Sequence, residues 1–327
     1  MTQAATPQLA PATSPGWSRL PVAYAIPVTP PSLEEAQQYC ARLAGSHYEN
    51  FSVATWFLPR RLRQHFFNVY AYCRISDDLG DEVGDPSASI ALLDQWQSEL
   101  DACYTGTPRH PVFVALAQTV RQFEIPQHEF SDLLRAFRQD QTITRFETFA
   151  DVLAYCRYSA NPVGHLVLYL CGYRDPERQQ LSDFTCTALQ LANFWQDVSI
   201  DYAKGRIYLP LEDLRRFSVN ESDIAAQRNT PAFCAMMQFE VERARDWFDR
   251  GLPLIAQVDR ELAVDLELSS RGGQEILSAI ERQGFSVLGH RPEISKPRKL
   301  ALVARAALGK LFSWREKTDG VRVKPRG

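Results

Sequence analysis

The sequence has no apolar segment approaching the ~20 residues that a membrane-spanning helix requires. The nearest candidate, residues 301–308, is interrupted by Arg305. The seven cysteines are odd in number, irregularly spaced and free of any CxxC motif. This pattern argues against a disulfide framework and a structural zinc site, so we expect reduced cysteines in a reducing compartment.

The sequence also lacks a large net charge and a dinucleotide-binding motif. A net charge of −3 on 327 residues gives no basis for nucleic-acid binding. No GxGxxG fingerprint follows a strand-like segment, so we expect no NADPH cofactor. With 45% hydrophobic and 23% charged residues, the chain has the composition of an ordinary globular protein that can bury its own core.

What is present is helical periodicity, and the chain divides into three regions. Residues 1–31 hold many Pro, Ala and Thr and no signal-peptide pattern, which predicts a disordered leader. Residues 32–290 are predicted to form one all-α domain, and residues 291–327 a basic amphipathic C-terminal segment. We expect a cytoplasmic protein.

The predicted helices lie near residues 32–44, 60–82, 88–104, 110–124, 127–139, 147–172, 177–203, 211–217, 231–251, 258–268, 273–284 and 297–313.

The first acidic cluster ends the second of these helices. Asp77, Asp78, Asp81 and Glu82 follow an apolar stretch from Phe66 to Cys73. Asp77 and Asp81 are four positions apart, so their Cβ atoms are about 5–6 Å apart on one helix face, where like charges repel. Carboxylates at this spacing suit Mg²⁺, although an isolated cluster of this kind is more often a solvated helix end.

A second polar stripe occurs in the helix predicted over residues 177–203. Asn193, Asp197 and Asp201 recur every four positions, and Gln190 precedes them by three. The residues between them are mostly apolar, so the stripe is narrower than the polar face of a surface helix. Two such helices facing each other would form a chamber for Mg²⁺ ions and a diphosphate, as metal sites in helix bundles are commonly built.

Cationic and aromatic residues accompany both clusters. Arg74 precedes Asp77 by three positions, and Arg206 follows Asp201 by five. Arginine can bind phosphate in a bidentate manner, or it can simply pair with the aspartates. Aromatic faces attract cations, but most of the neighbouring aromatic residues are equally compatible with core packing; these are Tyr48, Phe51, Trp56, Tyr70, Tyr155, Phe194, Trp195 and Tyr208.

The paired aspartate motifs, together with the stretch from Gly205 to Pro210, resemble the squalene/phytoene synthase family over roughly residues 35–290. The resemblance implies an isoprenoid-synthase helical bundle with a central cavity. It implies about two or three Mg²⁺ ions held by Asp77, Asp81, Asn193, Asp197 and Asp201. Catalysis would involve those aspartates and Asp78. The substrate-binding residues implied are Arg74, Gln190, Asn193, Arg206, Tyr208, Tyr155, Tyr70, Phe51 and His47, and Gly164 matches a glycine of the cavity-lining helix.

Two variant motifs are similar to the bacterial hydroxysqualene synthases within this family. They are the segment from His47 to Phe51 and the presence of Gln196, where most members carry arginine. This resemblance implies that presqualene diphosphate and water give hydroxysqualene and diphosphate without NADPH. Tyr48 and Asn50 are hypothetical candidates for the residue that positions the water. The alternatives are a head-to-head synthase making presqualene diphosphate, squalene or phytoene, and a non-catalytic lipid-binding or assembly relative.

The C-terminal segment is strongly basic. Residues 296–326 carry ten Lys or Arg residues against Glu316 and Asp319, interleaved with Leu, Val, Phe and Trp. This pattern fits peripheral contact with the inner face of a membrane, and it equally fits a solvated helix docked on the domain. Pathway partner enzymes are a further expectation, because the substrate and product are apolar lipids.

Overall fold

The computed structural model describes residues 24–46, 60–295 and 298, and within these ranges the protein is an all-α bundle. The helices are α1 Leu33–Ser46, α2 Arg63–Asp81, α3 Pro86–Thr105, α4 Pro111–Phe123, α5 His128–Gln139, α6 Phe149–Ser159, α7 Asn161–Leu170, α8 Pro176–Gln196, α9 Val198–Ala203, α10 Leu211–Arg216, α11 Glu221–Ala225, α12 Pro231–Gly251 and α13 Arg260–Arg282, with a 3₁₀ helix at Leu252–Gln257. The all-α prediction is confirmed, and no strand occurs in the described ranges.

Helix starts follow local sequence chemistry. Ser32 and Glu35 form a capping box, in which the Ser32 backbone N–H donates to Glu35 over 2.8 Å and the Glu35 N–H donates back to Ser32 Oγ over 3.3 Å. Helices α3, α8 and α12 each begin with proline after a side chain that caps the first turn. Proline is favourable there because its missing N–H would have had no helical partner.

Two predicted long helices are each broken into two. The helix predicted over residues 147–172 breaks at Ala160, whose backbone is non-helical, and α7 begins at the following residue. Pro162 explains this break because it has no N–H to donate to the carbonyl of Tyr158, and in a continuous helix its ring would clash with that carbonyl. The helix predicted over residues 177–203 breaks at Asp197 (φ −105°, ψ 15°).

Two further helix predictions were wrong at the C-terminal end of the domain. The separate helices predicted over 258–268 and 273–284 are the single helix α13. Gly273 does not end a helix; a Cβ there would lie 2.4 Å from Phe248 Cζ, so the glycine permits close packing of α13 on α12. The short helix α11 was not predicted, although Asn220 and Asp223 form a capping box at its start.

Two buried clusters form the core. One joins α1 to α5 with α7, around Tyr72, Trp96 and Phe113. The other joins α6, α8, α12 and α13 around Trp195 and Phe248. Helix α7 packs closely on α8, because a Cβ at Gly164 would lie 2.2 Å from Ser182 Oγ. The end of α2 belongs to the first cluster and the end of α8 to the second, so both acidic segments reach the junction between the clusters.

None of the helices in the described ranges has both the length and the apolarity required to cross a membrane. The predicted leader is described only from residue 24, and there Tyr24 donates its hydroxyl to Asp78 over 2.5 Å. Residues 1–23 and almost all of the predicted basic segment lie outside the described residues. Their predicted disorder and membrane contact therefore stay predictions.

Candidate active site

A cavity of about 250 Å³ lies at the junction of the two core clusters. Both predicted acidic clusters line it, with residues from α2, α8 and α9. Helices α5 and α6 and the loop after α9 complete the wall. The lining residues are Asp77, Asp81, Phe137, Asp140, Tyr155, Ser159, Gln190, Asn193, Phe194, Asp197, Asp201, Arg206 and Tyr208. The convergence of carboxylates from separate helices on one hollow is thus present.

Close packing of α2 on α5 brings the first aspartate pair to the cavity. Asp81 is the last residue of α2, and Asp77 lies one turn earlier. Between them, Gly80 faces Phe137, and a Cβ at Gly80 would lie 2.9 Å from Phe137 Cδ1. A larger residue at position 80 would therefore push apart the two helices that carry Asp77, Asp81 and Asp140.

The second polar stripe survives the break in its helix. The Asp197 N–H donates to the Asn193 carbonyl over 2.9 Å, and the Asp201 N–H donates to the Asp197 carbonyl over 2.9 Å. Helical spacing is thereby preserved across the junction of α8 and α9. Asn193, Asp197 and Asp201 consequently line the same cavity, together with Gln190.

The loop after α9 joins the two acidic segments. Arg206 Nη1 donates to Asp81 Oδ1 over 2.8 Å, and Lys204 Nζ donates to Asp81 Oδ2 over 2.9 Å. Arg145 secures this loop by donating to the Gly205 carbonyl over 2.7 Å. Lys204 was not predicted as a site residue, although its position two residues before Arg206 was visible in the sequence.

The electrostatics of the two aspartate pairs favour a bound cation. Burial, together with the charge of Asp81, raises the pKa of Asp77 to about 6. Burial and the charge of Asp197 raise the pKa of Asp201 to about 7. Burial alone would also raise the pKa of Asp81, but Arg206 and Lys204 hold it below its ordinary value. A divalent cation between the pairs would relieve this repulsion.

The donor set fits Mg²⁺ in its chemistry. Four carboxylates and the Asn193 amide line the cavity, and hard oxygen ligands of this kind suit Mg²⁺. Within the described ranges, no three His, Cys, Asp or Glu side chains converge tightly enough to enclose an ion. Mg²⁺ commonly binds through one or two carboxylates, retained waters and substrate phosphates.

An aromatic wall faces the acidic pairs. Tyr208 lies between Phe146 and Phe194, with ring centroids 5.6 Å and 3.9 Å away and nearly parallel planes. Tyr155 contacts the same group at 5.6 Å from Tyr208. Tyr155 and Tyr208, which were predicted to bind substrate, both line the cavity, and Phe194 lines it while also packing in the second core cluster.

The sequence analysis missed one carboxylate at the cavity. Asp140 follows α5, is only 6% exposed and lines the hollow. It accepts hydrogen bonds from Tyr155 Oη over 2.7 Å and from Tyr208 Oη over 3.3 Å. A single aspartate at a helix end carries no periodic signal, so nothing in the spacing pointed to it.

Three predicted site residues on α2 lie elsewhere. Asp78 is 4% exposed and does not line the cavity; it forms an ion pair with Arg74 and accepts from Tyr24. We therefore revise its predicted catalytic role to a structural one, because i+1 spacing turns it away from Asp77. Arg74 also contacts Asp77 over 3.6 Å, and neither Arg74 nor Tyr70 is among the cavity-lining residues. Their substrate-binding roles remain untested.

Gln196 occupies a position that the sequence analysis associated with loss of a cation. It is buried, and its amide Nε2 donates to the Pro292 carbonyl over 2.5 Å. Arg291 donates to Gln196 Oε1 over 3.0 Å and binds Asp197 in a bidentate manner at 2.5 and 3.0 Å. The segment after α13 thus supplies a guanidinium beside the second acidic pair.

The remaining predicted residues, His47 and Phe51, lie outside the described residues, as do Tyr48 and Asn50. Their roles stay predictions.

Comparisons with known proteins agree with this site. The sequence profile of "Squalene/phytoene synthase" matches residues 44–298. The 15-cis-phytoene synthase of Synechococcus elongatus is 30% identical over 291 residues, covering 85% of this chain and 94% of that protein. Phytoene synthase 1 of Solanum lycopersicum is 27% identical, covering 82% and 66%.

Solved structures show the same architecture. The squalene synthase HpnC from Alicyclobacillus acidocaldarius superimposes with a TM-score of 0.74 at 46% identity, covering 80% of this chain and 98% of that one. A dehydrosqualene synthase in complex with ligand superimposes with a TM-score of 0.77 at 27% identity, covering 86% and 98%. The chain belongs to the squalene/phytoene synthase family.

Proposed function

We propose that this protein converts presqualene diphosphate and water to hydroxysqualene and diphosphate in a Mg²⁺-dependent reaction. The observation that carries the proposal is the convergence of two aspartate pairs and Arg206 on a cavity with an aromatic wall. The His47–Phe51 and Gln196 motifs resemble those of the hydroxysqualene synthases and favour the alcohol-forming branch of the family. The 46% identity to the squalene synthase HpnC from Alicyclobacillus acidocaldarius supports activity on a related substrate.

The aspartates and basic residues would handle the diphosphate. Asp77, Asp81, Asn193, Asp197 and Asp201 would hold Mg²⁺, which when bound supplies electrostatic stabilisation of the leaving diphosphate. Arg206 and Lys204 lie against Asp81. Charge-assisted hydrogen bonds from them to phosphate oxygens would strengthen as negative charge develops on the leaving group.

The opposite wall would face the hydrocarbon part of the substrate. Phe137, Phe194 and Tyr208 present aromatic surface to the cavity, and aromatic faces stabilise cations by about 0.5–2 kcal/mol each. A buried cavity also limits the number of waters that can reach a carbocation. Formation of a single alcohol requires that one water is admitted in a defined place.

Head-to-head synthesis is the second candidate function. Arg291 places a cation beside Gln196, so the site is not depleted of positive charge as the sequence suggested. The match to the 15-cis-phytoene synthase of Synechococcus elongatus over 94% of that protein also favours this candidate. An enzyme of that kind would bind two prenyl diphosphates, not one.

Incubating the purified protein with defined substrates separates the two candidates. Farnesyl diphosphate, geranylgeranyl diphosphate and presqualene diphosphate are supplied separately with MgCl₂, each with and without NADPH, and the products are identified by mass spectrometry. We expect hydroxysqualene from presqualene diphosphate, with no dependence on NADPH. Turnover of farnesyl or geranylgeranyl diphosphate without turnover of presqualene diphosphate would replace this proposal with the second candidate.

A non-catalytic relative is the remaining alternative. Such a protein would have no need to keep both aspartate pairs at one cavity, and this chain keeps both. Absence of turnover of all three substrates in the presence of Mg²⁺ would favour that alternative. A cytoplasmic location, peripheral membrane attachment and pathway partner enzymes fit an enzyme acting on such lipids and belong to the same proposal.

A further inference from the structure

Asp140 stands apart from the metal-binding aspartates in its surroundings. It is only 6% exposed and its partners are two phenols, Tyr155 and Tyr208. Among the described residues none forms an ion pair with Asp140, and at the C-terminal end of α5 a carboxylate has an unfavourable interaction with the helix dipole. Since Asp140, Tyr155 and Tyr208 all line the cavity, this cluster faces the reacting part of a bound substrate.

The direction of the hydrogen bonds constrains what Tyr155 can do. A phenol has one proton to donate, and Tyr155 donates it to Asp140 Oδ2 over 2.7 Å. Its oxygen can then only accept toward the cavity. A water held by such an acceptor points a proton at Tyr155 and keeps both oxygen lone pairs free to attack a carbocation, whereas a phenol that donated to the water would occupy one of them.

Ser159 offers a second contact for the same water. It lies one turn after Tyr155 on α6, so the two side chains share a helix face. Its Oγ is buried and has no hydrogen-bond partner within the described part of the chain. A buried hydroxyl of this kind needs a partner, and the cavity that it lines is the source of one.

We propose that Asp140, acting through Tyr155, positions the capturing water and accepts the proton that it loses. This inference rests on the proposed alcohol-forming function. A lone pair of water forms the C–O bond to the cationic carbon. The resulting oxonium transfers one proton to Tyr155 Oη, and the hydroxyl proton of Tyr155 passes to Asp140 Oδ2. Carbocation, water and carboxylate become alcohol and carboxylic acid, with no oxidation or reduction.

The charges around Asp140 suit a carboxylate that starts ionised and can accept a proton. Burial raises the pKa of Asp140 to about 6, while the hydrogen bond from Tyr155 and the charge of Arg206 act in the opposite direction. Asp81 is the nearby negative group that adds to the rise. A base with a pKa near the working pH accepts and returns protons efficiently.

The experiment measures product partition with presqualene diphosphate and MgCl₂ in the wild type and in Asp140→Asn. The asparagine keeps the size of the side chain but cannot take the proton. We expect diphosphate release to stay within about threefold of wild type, while the ratio of hydroxysqualene to hydrocarbon formed by proton loss from carbon falls at least about tenfold. A merely structural role for Asp140 would slow diphosphate release without changing that ratio.

Tyr155→Phe is the second variant, because it leaves Asp140 in place if the asparagine variant does not fold. It should lower the same ratio. Asp213→Asn is the matched control, since Asp213 is a buried aspartate paired with Arg243 and does not line the cavity. If Tyr155→Phe and folded Asp140→Asn both give the wild-type ratio of hydroxysqualene to hydrocarbon, the inference is overturned. Another base, such as the released diphosphate, would then accept the proton from the water. If the wild type itself forms no alcohol, the proposed function fails first, and this inference with it.

Discussion

Arg206 and Asp81 lie 125 positions apart in the chain, and a 2.8 Å hydrogen bond from Nη1 to Oδ1 connects them. This pair joins the end of α2 to the loop after α9 at the mouth of the aspartate cluster. It neutralises one carboxylate of the cluster, and under the proposed function the same guanidinium would bind the diphosphate.

Replacing Arg206 with glutamine should reduce diphosphate release from presqualene diphosphate by about 10²–10³-fold, since a preorganised cation near developing charge contributes on that scale. Assaying released diphosphate at saturating substrate measures the effect. Arg215→Gln is the control, because Arg215 pairs with Glu147 on the surface and does not line the cavity. Equal activity of Arg206→Gln and wild type would contradict this role.

Mg²⁺ together with diphosphate should stabilise the folded protein by mass action. At about 100 times the dissociation constant the gain is about 2.7 kcal/mol, which raises the melting temperature by roughly 4 °C for a chain of this size. Asp201→Asn should lose most of the shift, whereas Asp249→Asn on the exposed side of α12 should keep it. Differential scanning fluorimetry with and without chelator makes the comparison, and an undiminished shift in Asp201→Asn would count against the assigned ligands.

Because of His165, the free energy of unfolding should fall as the pH rises into the alkaline range. Burial alone would lower its pKa, but hydrogen bonds with Asp183 and Glu129 raise it to about 9. The stabilisation is therefore complete below the unfolded pKa of about 6.5 and is lost as pH rises through about 9; at most it is about 3 kcal/mol.

Urea unfolding of wild type and His165→Gln between pH 6 and 10 tests this dependence. We expect the free energies of unfolding to differ most at pH 6 and to converge near pH 10. His128→Gln is the control, because the His128 side chain is 67% exposed. A difference that does not change with pH would mean that His165 contributes by packing and not by charge.

The hydrogen bond from Gln196 to the segment after α13 should contribute to the free energy of unfolding. Gln196→Leu removes the donor to the buried Pro292 carbonyl, and an unsatisfied buried polar group costs about 1–3 kcal/mol. Urea unfolding should show this loss, while Gln238→Leu on the exposed side of α12 should change stability by less than about 0.5 kcal/mol. Unchanged stability of Gln196→Leu would mean that another donor replaces it.

Removing residues 296–327 tests the predicted membrane contact. Ten basic residues interleaved with apolar ones should favour anionic vesicles, at about 1 kcal/mol per charge near the surface. Co-sedimentation with vesicles containing anionic lipid should fall at least about tenfold on truncation, and turnover of detergent-solubilised substrate should be retained. Equal sedimentation of both forms would favour the alternative of a helix docked on the domain.

The acidic clusters were predictable because helical spacing is a local property. Asp77 with Asp81, and Asn193 with Asp197 and Asp201, recur every four positions, so the sequence places each set on one face. The convergence of the two sets was only a hypothesis at that stage, because no local pattern states which helices face each other. In the structure both sets line one cavity at the junction of the two core clusters.

Other features depended on contacts between distant segments. Asp140 has no periodic partner in the sequence, and only its bonds to Tyr155 and Tyr208 mark it. In the sequence, Gln196 in place of the usual arginine indicated a site with one cation fewer. In the fold, Arg291, which lies 95 positions further along the chain, donates a hydrogen bond to Gln196. Asp78 was predicted to be a catalytic residue because it belongs to the acidic cluster. In the structure it accepts a hydrogen bond from Tyr24 and is buried away from the cavity.

The sequence by itself determined the helical class, most helix starts and the spacing of each carboxylate pair, because capping, proline and the helical period act over a few residues. The tertiary structure alone decided which carboxylates share a cavity and which cation each one meets. Those outcomes depend on side chains far apart in the chain that come together only when the two core clusters pack.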